Sequence, residues 1–143
     1  TSSGSGSLMA DAPELILRRA LAQLLDDWGL ADYQATGALP ARGVKTRPPM
    51  PTGLDEFTYL SSQPTTADGG RGNALYRVQF FTYRLGDAES WGSELFARLD
   101  QREYVPNVLG ISWSWETSRL HFDPDTQGRA AVACNYAFRG RRP

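Results

Sequence analysis

The stretch from Ala74 to Leu99, ALYRVQFFTYRLGDAESWGSELFARL, places the tightest limit on the fold. Its first half alternates with a period of two. Tyr76, Val78 and Phe80 share one face of a strand, and Arg77, Gln79 and Phe81 share the other. Its second half changes to a helical period, with Ala88, Trp91, Leu95 and Leu99 on one stripe and Gly92 allowing close approach to a neighbour. Gly86-Asp87 separates the two as a turn and a helix cap. Arg98, Gln101 and Arg102 suit the negative end of that helix. A strand running directly into a one-sided helix requires a layered fold, with the helix laid on a sheet.

The flanking segments extend this plan. DAPELILRRALAQLLDDWG reads as an N-terminal helix, with Asp11 and Glu14 at capping-box spacing and Pro13 in the first turn. Leu17, Leu21, Leu24 and Trp28 form its stripe beside Ala20 and Leu25, Arg18, Arg19, Gln23 and Asp26 fall toward the other face, and Gly29 ends it. Residues 33–53 carry prolines at 40, 48, 49 and 51 and predict a long loop with a short strand at Tyr33–Ala35. EFTYLSS (56–62) predicts a strand with Phe57, Tyr59 and Ser61 on one face, and QPTTADGGRGN (63–73) predicts a flexible loop.

The last third predicts β structure. Leu109, Ile111, Trp113 and Trp115 alternate on one face, a bend falls near Thr117–Ser118, and RLHF continues the strand. DPDTQG is a turn, and Val132, Cys134, Tyr136 and Phe138 are in phase on the returning strand, which pairs antiparallel. RGRRP predicts a frayed basic tail. The expectation is an α+β fold: a mostly antiparallel sheet with two helices packed on one face. Its other face is then solvated or shared with another chain, and Phe81 and Tyr83 favour sharing.

Composition limits the chemistry. The chain has 143 residues, enough for one ordinary domain over 9–143, with the Ser/Gly-rich residues 1–8 read as a flexible leader or an expression remnant. Its 15 basic residues against 16 acidic ones argue against a dedicated nucleic-acid binder. No apolar run reaches the ~18 residues of a membrane span, and no signal segment follows Met9. The single cysteine, Cys134, forms no internal disulfide and fits a reducing compartment.

The reactive residue types have plain structural readings. His121 is the only histidine, and no nucleophile elbow surrounds Ser112 or Ser114 to make a triad with it and Asp123. Cys134 lies on an apolar phase and reads as a small buried hydrophobe. DPDTQG lacks the late Glu of a calcium loop, and GGRGN lacks the Lys-Ser/Thr of a phosphate loop. Trp113 and Trp115 read as core filling under the helices, against Trp28 and Trp91, rather than as a stacking platform. Arg42, Lys45, Arg47, Arg71, Arg139, Arg141 and Arg142 fall in loops and the tail, as solvated charge or as a surface converging on an acidic partner or a nucleic-acid backbone. No catalytic residue, cofactor or metal is expected.

The order of elements around RVQFFTYRLGDAESWGSELFARL, with PELILRRALAQLL before it and a closing hairpin after it, resembles the tail-terminator proteins of long-tailed bacteriophages, also labelled minor capsid or tail-completion proteins. The resemblance spans about Asp11 to Arg139. It implies a non-enzymatic virion protein, assembled in the host bacterial cytoplasm and placed at the head-proximal end of the tail. Such a protein forms a homo-hexameric ring that caps the tail tube, ends its polymerisation and meets the head–tail connector, while DNA passes without specific binding. The interface candidates on that reading are Phe81, Tyr83 and the seven basic residues named above. A head-completion or connector protein of the same particle is the nearest alternative. A small-ligand-binding α+β module with a pocket under Trp113 and Trp115, and a hydrolase or transferase using His121 with Asp123, are the rivals from other classes.

Overall fold

The computed structural model describes residues 11–67 and 72–141. The leader assigned to residues 1–8, Arg71 and Arg142 lie outside the described residues. The chain runs α1 (Pro13–Asp27), β1 (Val44–Lys45), β2 (Phe57–Ala67), β3 (Asn73–Leu85), α2 (Glu89–Leu99), β4 (Trp113–Phe122) and β5 (Arg129–Arg141). The strands form one sheet in the order β1-β2-β3-β5-β4, antiparallel throughout except for β1 beside β2. The expected α+β architecture is therefore what the chain adopts.

The topology follows from the long central hairpin partners. β3 and β4 both run antiparallel to β5, which lies between them, so they are parallel to each other. A short turn cannot join them, and α2 makes the crossover above β5. Gly92 sits where α2 touches the sheet, and a Cβ there would meet Val132, Cys134 and Arg119 at 3.4–3.5 Å. α1 lies over β2 on the same side. Leu17, Leu21, Leu25, Leu95 and Leu99 from the helices close on Tyr76, Val78, Phe80, Tyr136 and Phe138 from the sheet.

Both helix ends at the junctions obey local chemistry. Gly29 takes φ +75°, its N–H bonds Asp26 O at 2.9 Å and Leu30 N–H bonds Leu25 O at 2.8 Å, the two bonds of a Schellman stop. Asp87 Oδ1 accepts the Ser90 N–H at 3.1 Å, as the sequence predicts for a cap. At α1 the capping box does not form. Ala12 is the N-cap, Asp11 pairs with Arg19, and Glu14 accepts the Thr65 hydroxyl instead. The drawn-out alternative is the sheet: Glu14 is within reach of β2, and Arg18, expected on the outer face, also turns to it through Thr46 O and Ser62 Oγ.

Four further expectations are corrected. The strand expected at Tyr33–Ala35 lies instead at Val44–Lys45, held by an edge that Asp32 joins through a bridge to Gly43. Of the loop expected over 63–73, the described residues 63–67 and 73 are strand, because a bulge between Gln63 and Thr66 accommodates Pro64, which has no N–H to give the ladder. The tail expected to fray is paired through Arg141, whose partner is Asn73. Trp113 and Trp115 do not fill the helix-covered core. Ile111 is buried in the connection before β4, and the strand starts with Ser114, not Trp113, facing the helices. A second bulge between Glu116 and Ser118 then reverses the phase once more.

Candidate interface on the uncovered sheet face

Register defines the face that no helix covers. Across β2, β3, β5 and β4 its rows read Phe57–Tyr83–Ala131–Phe122, then Tyr59–Phe81–Ala133–Leu120, then Ser61–Gln79–Asn135–Ser118. Beyond them Gln63, Arg77, Ala137 and Trp115 form a row, and Arg139 stands opposite Trp113. Because β3 has no bulge, its odd-numbered residues stay on this face from Leu75 to Leu85. Phe81 and Tyr83 thus point where the sequence placed them.

The face has three zones. At one end Phe81 lies 5.3 Å from Tyr83 and 5.9 Å from Phe122 between ring centroids, and Tyr83 lies 5.0 Å from Phe57. These rings lean over Ala131 and Ala133, which are buried beneath them. Leu120 and Phe122 remain 57% and 42% exposed, and Leu85 at the end of β3 is 53% exposed. In the middle, Gln79 Nε2 donates to Asn135 Oδ1 at 3.2 Å, and Asn135 Nδ2 donates to Ser118 Oγ at 3.0 Å. At the far end Arg139 stacks over Trp115 with its Cζ 5.6 Å from the ring centroid. Trp113, Trp115, Asp100, Glu116 and Arg139 line a shallow groove of about 350 Å³ there.

The outer edge of β4 is blocked over half its length. Arg102 and Ser114 exchange N–H and carbonyl bonds at 3.1 and 2.9 Å, and Asp100 Oδ1 takes the Glu116 N–H at 2.9 Å. Past the bulge, Ser118–Phe122 is bridged to no outer strand among the described residues. This open edge is continuous with the apolar zone through Leu120 and Phe122.

The basic candidates divide into two groups. Arg42, Lys45 and Arg47 lie along the β1 edge, where Arg42 faces Glu56 at 3.8 Å. Arg139 and Arg141 lie at the Asn73 end of the sheet, and Arg141 O accepts the Tyr76 hydroxyl. Arg42 is near the Phe57 end instead, so no single surface gathers all of them.

The reactive types take the places their plain readings predict. His121 is exposed near Asp123. Ser114 is buried at the other end of β4, seven positions or roughly 23 Å away, and donates to Leu99 O. Cys134 is buried under α2, and burial together with the Glu116 charge pushes its thiol up to about 12. Asp125 closes the DPDTQG turn by accepting the Gln127 and Arg129 N–H groups, which holds its carboxyl below the usual range.

One notable group escaped the sequence reading. Arg84 is 3% exposed and donates to Phe57 O, Tyr83 O and Leu30 O at 3.2, 2.7 and 2.8 Å. It is in phase with Tyr76, Val78 and Phe80, which is the signal that marks it as a core-facing cation.

No protein-family model matches the chain, and no curated protein matches it in sequence. Among the described residues, no helix is long and apolar enough to cross a membrane.

Proposed function

We propose that this chain is a non-enzymatic virion assembly protein, a tail terminator of a long-tailed bacteriophage. It forms a homo-hexameric ring at the head-proximal end of the tail, caps the tube protein, ends its polymerisation and meets the head–tail connector. The observation that supports this most is the uncovered face. It joins an apolar zone around Phe81, Phe122 and Leu120 to a strand edge that nothing pairs among the described residues. An edge and an adjoining patch are two different surfaces, which is what a head-to-tail contact between copies needs in order to close into a ring. The element order that resembles terminators supplies the rest of the reading. The same surfaces serve a head-completion protein equally well. The groove at Trp113 and Trp115 supports a ligand module less, because Arg139 already occupies the Trp115 face.

The exposure left on Leu120 and Phe122 amounts to about one full apolar side chain, worth ~1.5–3 kcal/mol per contact if a neighbour covers it. The double variant L120S/F122S is then expected to weaken self-association by roughly 10- to 150-fold. Sedimentation velocity and electron microscopy, with the protein alone and mixed with tail tubes, test the reading. Rings on tube ends, lost in the double variant, are expected. Monomers at every concentration together with bare tube ends would refute it.

A further inference from the structure

We propose that the cavity between α1, the loop that follows it and β1 binds a small organic phosphate. The cavity measures about 470 Å³, within the range of small-molecule sites. Its lining combines Arg19, Lys45 and Arg47 with Leu39, Val44 and Pro51. A charged head and an organic body therefore both find suitable side chains in one concavity.

The charge balance is what selects an anion. Arg19 is neutralised by Asp11. Lys45 and Arg47 have no carboxylate within ion-pair distance among the described residues, and Lys45 is half-buried. Behind them Arg18 also lacks an ion-pair partner: its guanidinium bonds Thr46 O at 2.8 Å and Ser62 Oγ at 2.6 Å, both neutral. Burial lowers the Arg18 pKa against the opposing pull of Tyr59 and Glu14, and the neighbouring Arg47 charge adds to the lowering. Two cations without a carboxylate at ion-pair distance, Lys45 and Arg47, thus crowd the β1 edge beside a third, Arg18, which Glu14 offsets only from longer range. A phosphate monoester answers this arrangement better than a carboxylate. It offers up to two charges and three acceptor oxygens to a guanidinium fork and an ammonium point charge. The concave, partly apolar lining favours a small molecule with an organic body over the backbone of a long nucleic acid.

The site stands apart from the uncovered face and does not depend on assembly. Isothermal titration calorimetry of the full chain at low salt tests it, with adenosine monophosphate, adenosine and inorganic phosphate as probes. Saturable binding of the monophosphate at one site per chain is expected, weakened by salt, with inorganic phosphate competing and adenosine inert. K45Q/R47Q should weaken binding by about 100-fold, roughly tenfold per cation, whereas R98Q on α2 should leave it unchanged. Amide shifts in the wild-type chain, mapped by NMR during the same titration, must centre on residues 44–47 whether or not the double variant folds. The proposal is overturned by no saturation at about 10 mM monophosphate, by shifts elsewhere, or by full affinity in K45Q/R47Q. It is equally overturned if an oligonucleotide duplex binds through these cations and the monophosphate does not.

Discussion

Replacing Arg84 should show that its charge adds little net stability to the fold. The guanidinium reaches three carbonyls at 2.7–3.2 Å, lies 5.8 Å from the Trp91 ring centroid, and leaves its Nε–H without a partner. No carboxylate approaches within ion-pair distance, so only Glu56 and Asp32 at longer range oppose the burial that lowers its pKa to about 10. Three bonds from a charged donor are worth ~1.5–3 kcal/mol each. Desolvating an ion without a counterion costs several kcal/mol, and the orphaned Nε–H adds ~1–3 more. These terms nearly cancel, which leaves packing to decide. Arg84→Met keeps the stem against Trp91 and sheds the charge, so a loss of about 1 kcal/mol is expected. Arg84→Ala also opens a cavity and should lose about 3 kcal/mol. Arg84→Lys retains the desolvation cost but spans one carbonyl instead of three, and should fall near Ala. Urea unfolding with a common slope measures the series. A lysine variant as stable as wild type, with the methionine variant the worst of the three, would refute the reasoning.

Other substitutions test other contacts. Cys134 should resist thiol reagents in the native state and react on unfolding, because it is fully buried. With its thiol near 12 when folded and 9.0 otherwise, the unfolded chain loses that proton first, so the stability tied to it is complete below pH 9 and declines as pH rises toward 12. C134A should flatten that decline, which reaches at most ~1.4 kcal/mol per pH unit, in urea titrations run across the range. Gly140→Ala would set a Cβ 2.7 Å from Ile111 Cδ1 and 3.0 Å from Leu109 O, and calorimetry should show a loss of ~1–3 kcal/mol. Gly92→Ala meets only side chains at 3.4–3.5 Å and gains helix propensity of ~1 kcal/mol, so its midpoint should stay close to wild type or rise slightly.

What could be seen in the sequence depended on whether one period governed a whole element. β3 is thirteen residues with no irregularity, so alternation from Tyr76 places Phe81 and Tyr83 correctly on the far face. On β2 the same rule holds for Phe57, Tyr59 and Ser61, which precede its bulge, whereas on β4 the phase breaks between Ile111 and Trp113 and again at the bulge. An extra residue reverses the parity of everything after it, which is why Leu120 and Phe122 join the apolar zone although Trp113 and Trp115 have the opposite parity. β1 is two residues long and has no period to detect. The cavity beside it was half visible: Lys45 and Arg47 stood out as basic, whereas Leu39, Val44 and Pro51 gain meaning only when the loop folds back on α1. The full complement of charges hid the local excess, because the 15 and 16 opposite charges balance only over the whole chain.

The layout of the uncovered face also bears on how a second copy could cover it. An apolar zone alone attracts in any register. Gln79, Asn135 and Ser118 lie beside it as a row of polar groups, and two hydrogen bonds already join them across three strands. Covering a row that satisfies part of its own demand costs less than covering isolated amides. Sliding the neighbour by two residues, one row of the face, would nevertheless bring its apolar side chains onto that row and strand the remaining donors. The Phe81–Phe122–Leu120 zone would then supply most of the attraction, and the polar row would set the angle between neighbours, on which ring closure depends. Replacing Asn135 should therefore change the distribution of assembled sizes more than the strength of association, whereas L120S/F122S should do the reverse.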